Sequence, residues 1–347
     1  MHPRYGGRRE APSVSSVGAA PFVSTTIERQ LIDAVGADRV RRGAPLAPLT
    51  TFKVGGPADF LVDARSADQI REVLIIARDA KIPVTVLGGG SNVLVADRGL
   101  PGIVLRVHGG DVRQIAPDRV AADGGVTING LVRWTIGHGL AGLEAWAGTP
   151  GTVGGAIHGN AHFRGRLISE LIDRVTLATP DGTLADVPAA DMEFGYDYSR
   201  LHRTREIVVS ASFKVSPGAP EELRRIARES LAFRKRTQPL ESASAGCIFQ
   251  NPDPSRDTVP DGIPPSAGAL VDRAGLKDAR AGRARVSATH ANFIVNEGDA
   301  SASDVRDLIE RCKQDVRTRF GVALREEIVY LGFERGGSEE PNGHSED

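Results

Sequence analysis

The stretch AGLEAWAGTPGTVGGAIHGNAHFRG, Ala141 to Gly165, decides how this chain is read. Gly148, Gly151, Gly154 and Gly155 stand around Thr149, Pro150 and Val153, with Asn160 close behind. Glycines spaced this closely remove the side chains that keep backbone N–H groups away from a ligand, and they permit dihedrals that other residues reach only with strain. Successive exposed amides cradle phosphate oxygens. A second run, Gly88-Gly89-Gly90-Ser91-Asn92, follows the apolar segment Val84-Thr85-Val86-Leu87. Two such loops suit a diphosphate-bearing cofactor better than one, although either alone reads as readily as a tight turn. Neither has the G-x-G-x-x-G spacing between a strand and a long helix, so a Rossmann dinucleotide site is not expected.

Working outward, the 347 residues are enough for two or three domains with a sizeable core. The 40% hydrophobic and 25% charged content is ordinary for a globular protein. A formal net charge of -1 gives no electrostatic reason to expect nucleic acid or an anionic membrane as partner. The 2 cysteines cannot make a disulfide framework, and no apolar run is long enough to span a bilayer. The first residues lack the apolar region of a secretory signal, so a cytoplasmic location is the expectation.

Residues 1–22 and 334–347 are polar and aperiodic and read as disordered. Thr25 to Val35 has helical spacing. Phe52 to Asp63 reads as two short strands around Gly55-Gly56-Pro57. A helix follows, with Ser66 and Gln69 as a capping pair and Ile70, Val73, Leu74 and Ala77 on one face. Val84 to Leu87 reads as a buried strand, and Ile103 to Val107 as another. Ile128 to His138 predicts a helix leading into the long glycine loop. Strands are expected at Leu171 to Ala178 and Ile207 to Phe213, with Asp181-Gly182 as a hairpin turn. Pro217-Gly218-Ala219-Pro220 reads as a linker before another helix. Further on come a strand at Ala291 to Val295 and a helix from Ser303 to Arg319, with Cys312 on its core face and Gly321 at its end. Glu327 to Leu331 reads as a last strand.

Three residues stand out chemically. Cys247, in the small-residue run Ser-Ala-Gly-Cys-Ile-Phe, reads equally as a structural cysteine or as a thiol facing a cavity and able to donate a proton. Glu327, opening an apolar strand, reads on its own as a solvent-facing residue. Asn292 interrupts the apolar run of THANFIVN and needs a partner if buried, whether backbone or ligand. His158, His162 and His290 are scattered, no Cys/His cluster has zinc spacing, and no metal is expected.

GTPGTVGG with Asn160, GGGSN, SAGCIFQNP from Ser244, GLKDARAGRARVSATHANFIVN from Gly275 and the terminal Glu327 occur in one order. With Thr50-Thr51-Phe52 and Val54-Gly55-Gly56 they cover roughly residues 46–332. This series resembles the UDP-N-acetylenolpyruvoylglucosamine reductases, in their shorter form without a long insertion, and the FAD-binding half of the wider vanillyl-alcohol-oxidase-like superfamily. The resemblance implies an α+β fold: two PCMH-type FAD-binding subdomains, at 23–112 and 113–218, then a C-terminal α/β substrate domain at 219–333. It implies noncovalent FAD, NADPH as electron donor, and reduction of a UDP-linked amino sugar to UDP-N-acetylmuramate for peptidoglycan, by a monomer or weak oligomer. It places FAD on Gly88, Gly89, Gly90, Ser91, Asn92, Gly148, Thr149, Pro150, Gly151, Val153, Gly154, Gly155 and Asn160. Tyr196, Ser199, Asn251 and Asn292 fall at substrate positions. Cys247 takes the place of the family's proton donor, and Glu327 that of its catalytic glutamate.

The departures are basic positions. The family pattern Phe-Gly-Tyr-Arg-x-Ser has a catalytic arginine where this chain has Asp197, and Thr237, Gln250 and Val329 stand where lysine, lysine and arginine are usual. Arg200, Arg203 and Arg205, or Arg234, Lys235 and Arg236, are the neighbours expected to supply the missing charge. These losses keep open a same-fold flavin oxidoreductase for another anionic substrate, or a non-catalytic flavin-binding protein. The retained Cys247 and Glu327 favour catalysis.

Overall fold

A computed structural model describes residues 21–333. Disorder expected at 1–20 and 334–347 lies outside the described residues, whereas Pro21 and Phe22 open a helix, Pro21–Val35. Its Ile27, Leu31 and Val35 are buried against the helix Ala67–Asp79 and a four-stranded sheet. The sheet runs Val40–Pro45, Pro57–Ala64, Leu100–Val107, Val84–Leu87, the first pair antiparallel and the others parallel. Two expectations are corrected. Gly55-Gly56 is no hairpin turn, because the partner of Pro57–Ala64 is Val40–Pro45 and residues 46–56 form a loop between them. Val84–Leu87 is an edge strand, with Val86 41% exposed, and not a buried one. The Ser66 hydroxyl does cap its helix, accepting from the Gln69 amide, while the Gln69 carboxamide takes the amide of Arg65.

The second unit is a five-stranded antiparallel sheet ordered Leu184–Pro188, Ile172–Ala178, Ile207–Lys214, Arg119–Asp123, Val112–Ala116. Asp181-Gly182 turns its hairpin, with Gly182 at φ 88°. The helices Ile128–Gly137 and Val153–His158 bury Leu131, Val132, Val153 and Ile157 on this sheet beside Trp146. The helix Pro220–Thr237 adds Leu223 and Ala227 to the same core. The expected boundary at 218/219 places this helix in the C-terminal domain, whereas it packs on the second unit, and Pro217, at the start of the expected linker, pairs with Leu140.

The third core forms between the helices Ala267–Arg273 and Ala302–Phe320 and the small sheet Arg280–Ala281, Ala284–Val286, Ile294–Asn296. Cys312 lies in that core, 1% exposed. The strand at Ala291 begins later than expected, since Ala291 to Phe293 form a turn closed by the Phe293 amide on the His290 carbonyl. Phe52, Val54 and Leu94 of the first unit belong to this core too. The last strand, Val329–Leu331, pairs in parallel with Val93–Val95. Asp97 reaches across to cap the long helix, its carboxylate accepting from the amides of Ala302 and Ser303 at 2.8 and 3.1 Å. The first and third units are thus welded around residues 92–97, next to the second glycine run. No described helix is long and apolar enough to cross a membrane.

Candidate active site

The two glycine loops meet. A Cβ on Gly88 would stand 2.6 Å from Thr152 Oγ1, and one on Gly89 2.6 Å from Gly151 Cα. Gly90 lies equally tight against Leu49 and Thr50, and its carbonyl accepts from the Thr51 amide. The glycines are therefore required first for loop-on-loop contact. The ridge they form also leaves donors over: among the described residues, the amides of Gly88, Gly89, Gly90, Ser91, Asn92, Gly151 and Thr152 have no protein acceptor. Backbone N–H groups in such number go unpaired only where solvent or a ligand takes them. This donor set fits the diphosphate of FAD.

Other residues expected on the cofactor spend their polar groups on holding the loops. The Val153 side chain is fully buried in the second core, and its amide and that of Gly154 donate to Val126 and Gly124 carbonyls. The amide of Gly155 is taken by the capping Thr152 hydroxyl, and that of Gly148 by Asn129 Oδ1 at 2.7 Å. The Thr149 hydroxyl accepts from Arg234 at 2.8 Å, while Pro150 has no N–H to offer. Asn160 is wholly buried and spends its carboxamide on the Gly195 carbonyl and the Ser169 amide. Asn92 directs its side-chain amide at the Glu327 carbonyl, 3.1 Å away.

Around this ridge the chemistry-bearing side chains converge. Gly246, at φ 85°, turns the chain into Cys247. The following residues are clamped by Asn292: its carbonyl accepts from the Ile248 amide, and its carboxamide pairs with both backbone groups of Phe249 at 2.8 and 2.9 Å. The Glu327 amide donates to the Ile248 carbonyl at 2.8 Å, which sets Glu327 beside Cys247. Glu327 does not open the last strand as expected, because that strand starts at Val329. Burial, and next the charge of Asp197, push the Glu327 carboxyl up to about 8. Burial, followed by Glu327 and Asp197, pushes the Cys247 thiol up as well. Both groups therefore carry protons at neutral pH.

Asp197 lies in a turn closed by Gly195 and Tyr198, at φ 51°, a left-handed conformation that Asp tolerates. Its Oδ1 is 3.0 Å from His162 Nδ1. One ligand atom from each of His162, Asp197 and Glu327 lies within 4.8 Å of the others. The histidines are therefore not all isolated in space: the fold brings His162 to two acids far away in sequence. Tyr196 packs tilted against His162 with ring centroids 4.8 Å apart, and burial raises its hydroxyl to about 12. Arg234, 5% exposed, lies over the Phe163 ring at 3.8 Å and leaves Nε without a partner.

Residues 58–187 match a family model described as FAD binding domain, and residues 238–331 one described as UDP-N-acetylenolpyruvoylglucosamine reductase, C-terminal domain. A UDP-N-acetylenolpyruvoylglucosamine reductase of Synechococcus sp. (strain WH7803) is 40% identical over 85% of this chain and 94% of its own length. That of Bacillus subtilis (strain 168) is 36% identical over 86% and 95%. The chain belongs to the UDP-N-acetylenolpyruvoylglucosamine reductase family. The crystal structure of the reductase from Thermus caldophilus superposes with a TM-score of 0.70 at 34% identity, covering 84% of this chain and 99% of that one. The α+β, FAD-domain-plus-C-terminal-domain architecture expected from the sequence is that of this family.

Measured against the family pattern, the substrate positions divide. Tyr196 is 45% exposed beside His162, and Asn251 is exposed, although its side chain caps the Ala267 amide. Ser199 and Asn292 are buried and spend their side chains on backbone groups; the Ser199 hydroxyl donates to the His158 carbonyl at 2.7 Å. Of the basic neighbours, Arg200 is spent on Glu206 at 2.7 and 2.9 Å and Arg203 on Glu193 at 2.7 Å. Arg234 alone of these three is buried at the site. Sequence reasoning missed His162, Asn129 and Phe163. His162 and Phe163 lie in the glycine-rich stretch itself, and the aspartate in place of an arginine was the signal that a new partner existed.

Proposed function

We propose that this reductase-family protein takes electrons from NADPH and reduces the enolpyruvyl group of UDP-N-acetylenolpyruvoylglucosamine to give UDP-N-acetylmuramate, a peptidoglycan precursor. The observation that carries this reading is that two proton-bearing groups, Cys247 and Glu327, are brought together and tied through Asn92 to the run of unsatisfied backbone amides. When bound, FAD would accept hydride from NADPH and deliver hydride to the double bond. The amides of Gly88 to Ser91, Gly151 and Thr152 would hold its diphosphate. The protein's own task is to orient the enolpyruvyl group and supply one proton.

Hydride addition to one carbon leaves the other, next to the carboxylate, carrying the electron pair. The Cys247 thiol holds the proton for that carbon. Arg234, whose charge acts on Cys247, favours the thiolate left behind. Glu327, protonated below about 8, donates a hydrogen bond at the double bond and polarises it without adding a second negative charge. Tyr196 and the Asn251 backbone face the sugar nucleotide. We place the protein in the cytoplasm as a monomer or weak oligomer, a setting consistent with its two free thiols.

The test is anaerobic. Purified protein should be yellow, be bleached by NADPH, and regain its colour on addition of UDP-N-acetylenolpyruvoylglucosamine with formation of UDP-N-acetylmuramate. A flavin that NADPH reduces but this sugar nucleotide fails to reoxidise would instead support a same-fold reductase for another anion.

A further inference from the structure

We propose that His162, held as an imidazolium by Asp197, is the cation that receives the substrate's carboxylate, so that the Asp197–His162 pair stands in for the guanidinium that the family pattern puts at 197. This rests on the enolpyruvyl reading above. The Asp197 side chain is 7% exposed, its Oδ1 meets His162 Nδ1 at 3.0 Å, and its Oδ2 is buried with no partner. A carboxylate so enclosed is costly unless a cation pairs with it, and the imidazole is the group in place to do so. A buried aspartate on one imidazole nitrogen fixes the ring and stabilises its charged form, leaving the other N–H to act. His162 has that free edge: among the described residues Nε2 has no partner, and the side chain is 27% exposed beside Tyr196.

The other basic groups are already committed. Arg200 and Arg203 are paired with Glu206 and Glu193, and Arg234 is bonded to Thr149 and laid on Phe163. The charged and titratable groups facing His162 come from three segments: Asp197 and Tyr196 from the turn, Glu327 from the C-terminal segment, and Arg234 from the helix Pro220–Thr237. The hydrogen bond to Asp197 raises His162 first, with Glu327 adding to it, while burial and Arg234 oppose. Replacing a guanidinium by an ion pair lowers the formal charge but keeps an oriented cationic donor 35 positions earlier in the chain than the residue it replaces. The same three side chains are close enough to share a metal ion, yet His162 and Asp197 already satisfy one another.

The experiment uses the FAD-loaded protein. As a control, UDP-N-acetylenolpyruvoylglucosamine must reoxidise the reduced parent; failure there overturns the functional reading and not the pairing, which is read by NMR titration of labelled histidine. In a competent parent, His162→Gln should weaken binding of the sugar nucleotide to the oxidised protein and slow reoxidation about 10²-fold, with reduction by NADPH unchanged. Adding Asp197→Arg to His162→Gln, which restores the guanidinium, should recover about 10-fold of that loss. In Asp197→Asn the His162 midpoint should fall, and the pH above which the sugar nucleotide ceases to bind should fall with it. Parent-like binding in His162→Gln overturns the proposal. So does an unchanged His162 midpoint in Asp197→Asn, which decides the matter where the double variant does not keep its flavin.

Discussion

Asn92 and Glu327 are 235 positions apart and joined on both sides: Asn92 Nδ2 donates to the Glu327 carbonyl at 3.1 Å, and the Val329 amide donates to the Asn92 carbonyl at 3.0 Å. The loop carrying the unpaired amides is thereby the same loop that sets the position of an acid. Replacing Asn92 by Ala should loosen Glu327 more than it weakens the flavin site. We expect reoxidation by substrate to slow about 5-fold, the effect of one lost hydrogen bond of about 1 kcal/mol, with FAD affinity nearly unchanged. Rapid mixing and a flavin titration on one preparation measure both. A loss confined to FAD affinity would return Asn92 to the cofactor.

Cys247 should be the proton donor in the second half-reaction only. Cys247→Ala is expected to leave flavin reduction by NADPH as in the parent and to slow reoxidation by substrate roughly 10²- to 10⁴-fold, the usual contribution of a general acid. Cys247→Ser should retain part of the rate, because a hydroxyl occupies the same place and also holds a proton at neutral pH. Equal reoxidation rates in parent and Cys247→Ala would make the thiol a packing group and leave the proton to Glu327.

Much of the fold is legible in the amino-acid sequence. The capped helix Ala67–Asp79 and the core face of Ala302–Phe320 show in apolar periodicity because burial imposes it. The glycine loops, Cys247 and Glu327 show because their order matches a family. Short polar residues mislead for a physical reason. Asn160, Ser199 and Asn292 sit in or beside turns, where a side chain that bonds backbone leaves the same trace as one that bonds a ligand. Val40–Pro45 does not read as a strand because Arg41, Arg42 and Gly43 give an edge position no alternating pattern. The His162–Asp197 pair depends on two loops meeting, which no spacing within either loop encodes.

Glu327 gives a pH test with a definite sign. Its carboxyl ionises near the ordinary 4.5 in the unfolded chain and near 8 in the folded one. Between those values the unfolded state has released a proton that the folded state keeps, so this group's stabilisation, complete below 4.5, is lost as the pH rises to about 8. The difference in Tm between the parent and Glu327→Gln should move against the parent across that window and level off above it. In the parent, reoxidation by substrate should decline above about pH 8 as the carboxyl loses the hydrogen it donates. A Tm difference that stays flat from pH 4.5 to 8 would show that Glu327 is ionised throughout.

The meeting of the two glycine loops makes the last prediction. A methyl group on Gly89 would fall 2.6 Å from Gly151 Cα, backbone against backbone, so neither side has a flexible end that can yield. Gly89→Ala must then push the loops apart and spoil the register of amides from Gly88 to Ser91 against those of Gly151 and Thr152. The variant should fold, because no core side chain is replaced, but purify pale and bind added FAD at least 10-fold more weakly. Gly137→Ala is the control: nothing lies within 4 Å of the added carbon, at the end of the helix Ile128–Gly137, and flavin binding should be unchanged. Equilibrium titration of apoprotein with FAD, alongside a thermal melt, separates a lost site from a lost fold. A Gly89→Ala protein that stays as yellow as the parent would mean that the open amides are not what holds the diphosphate.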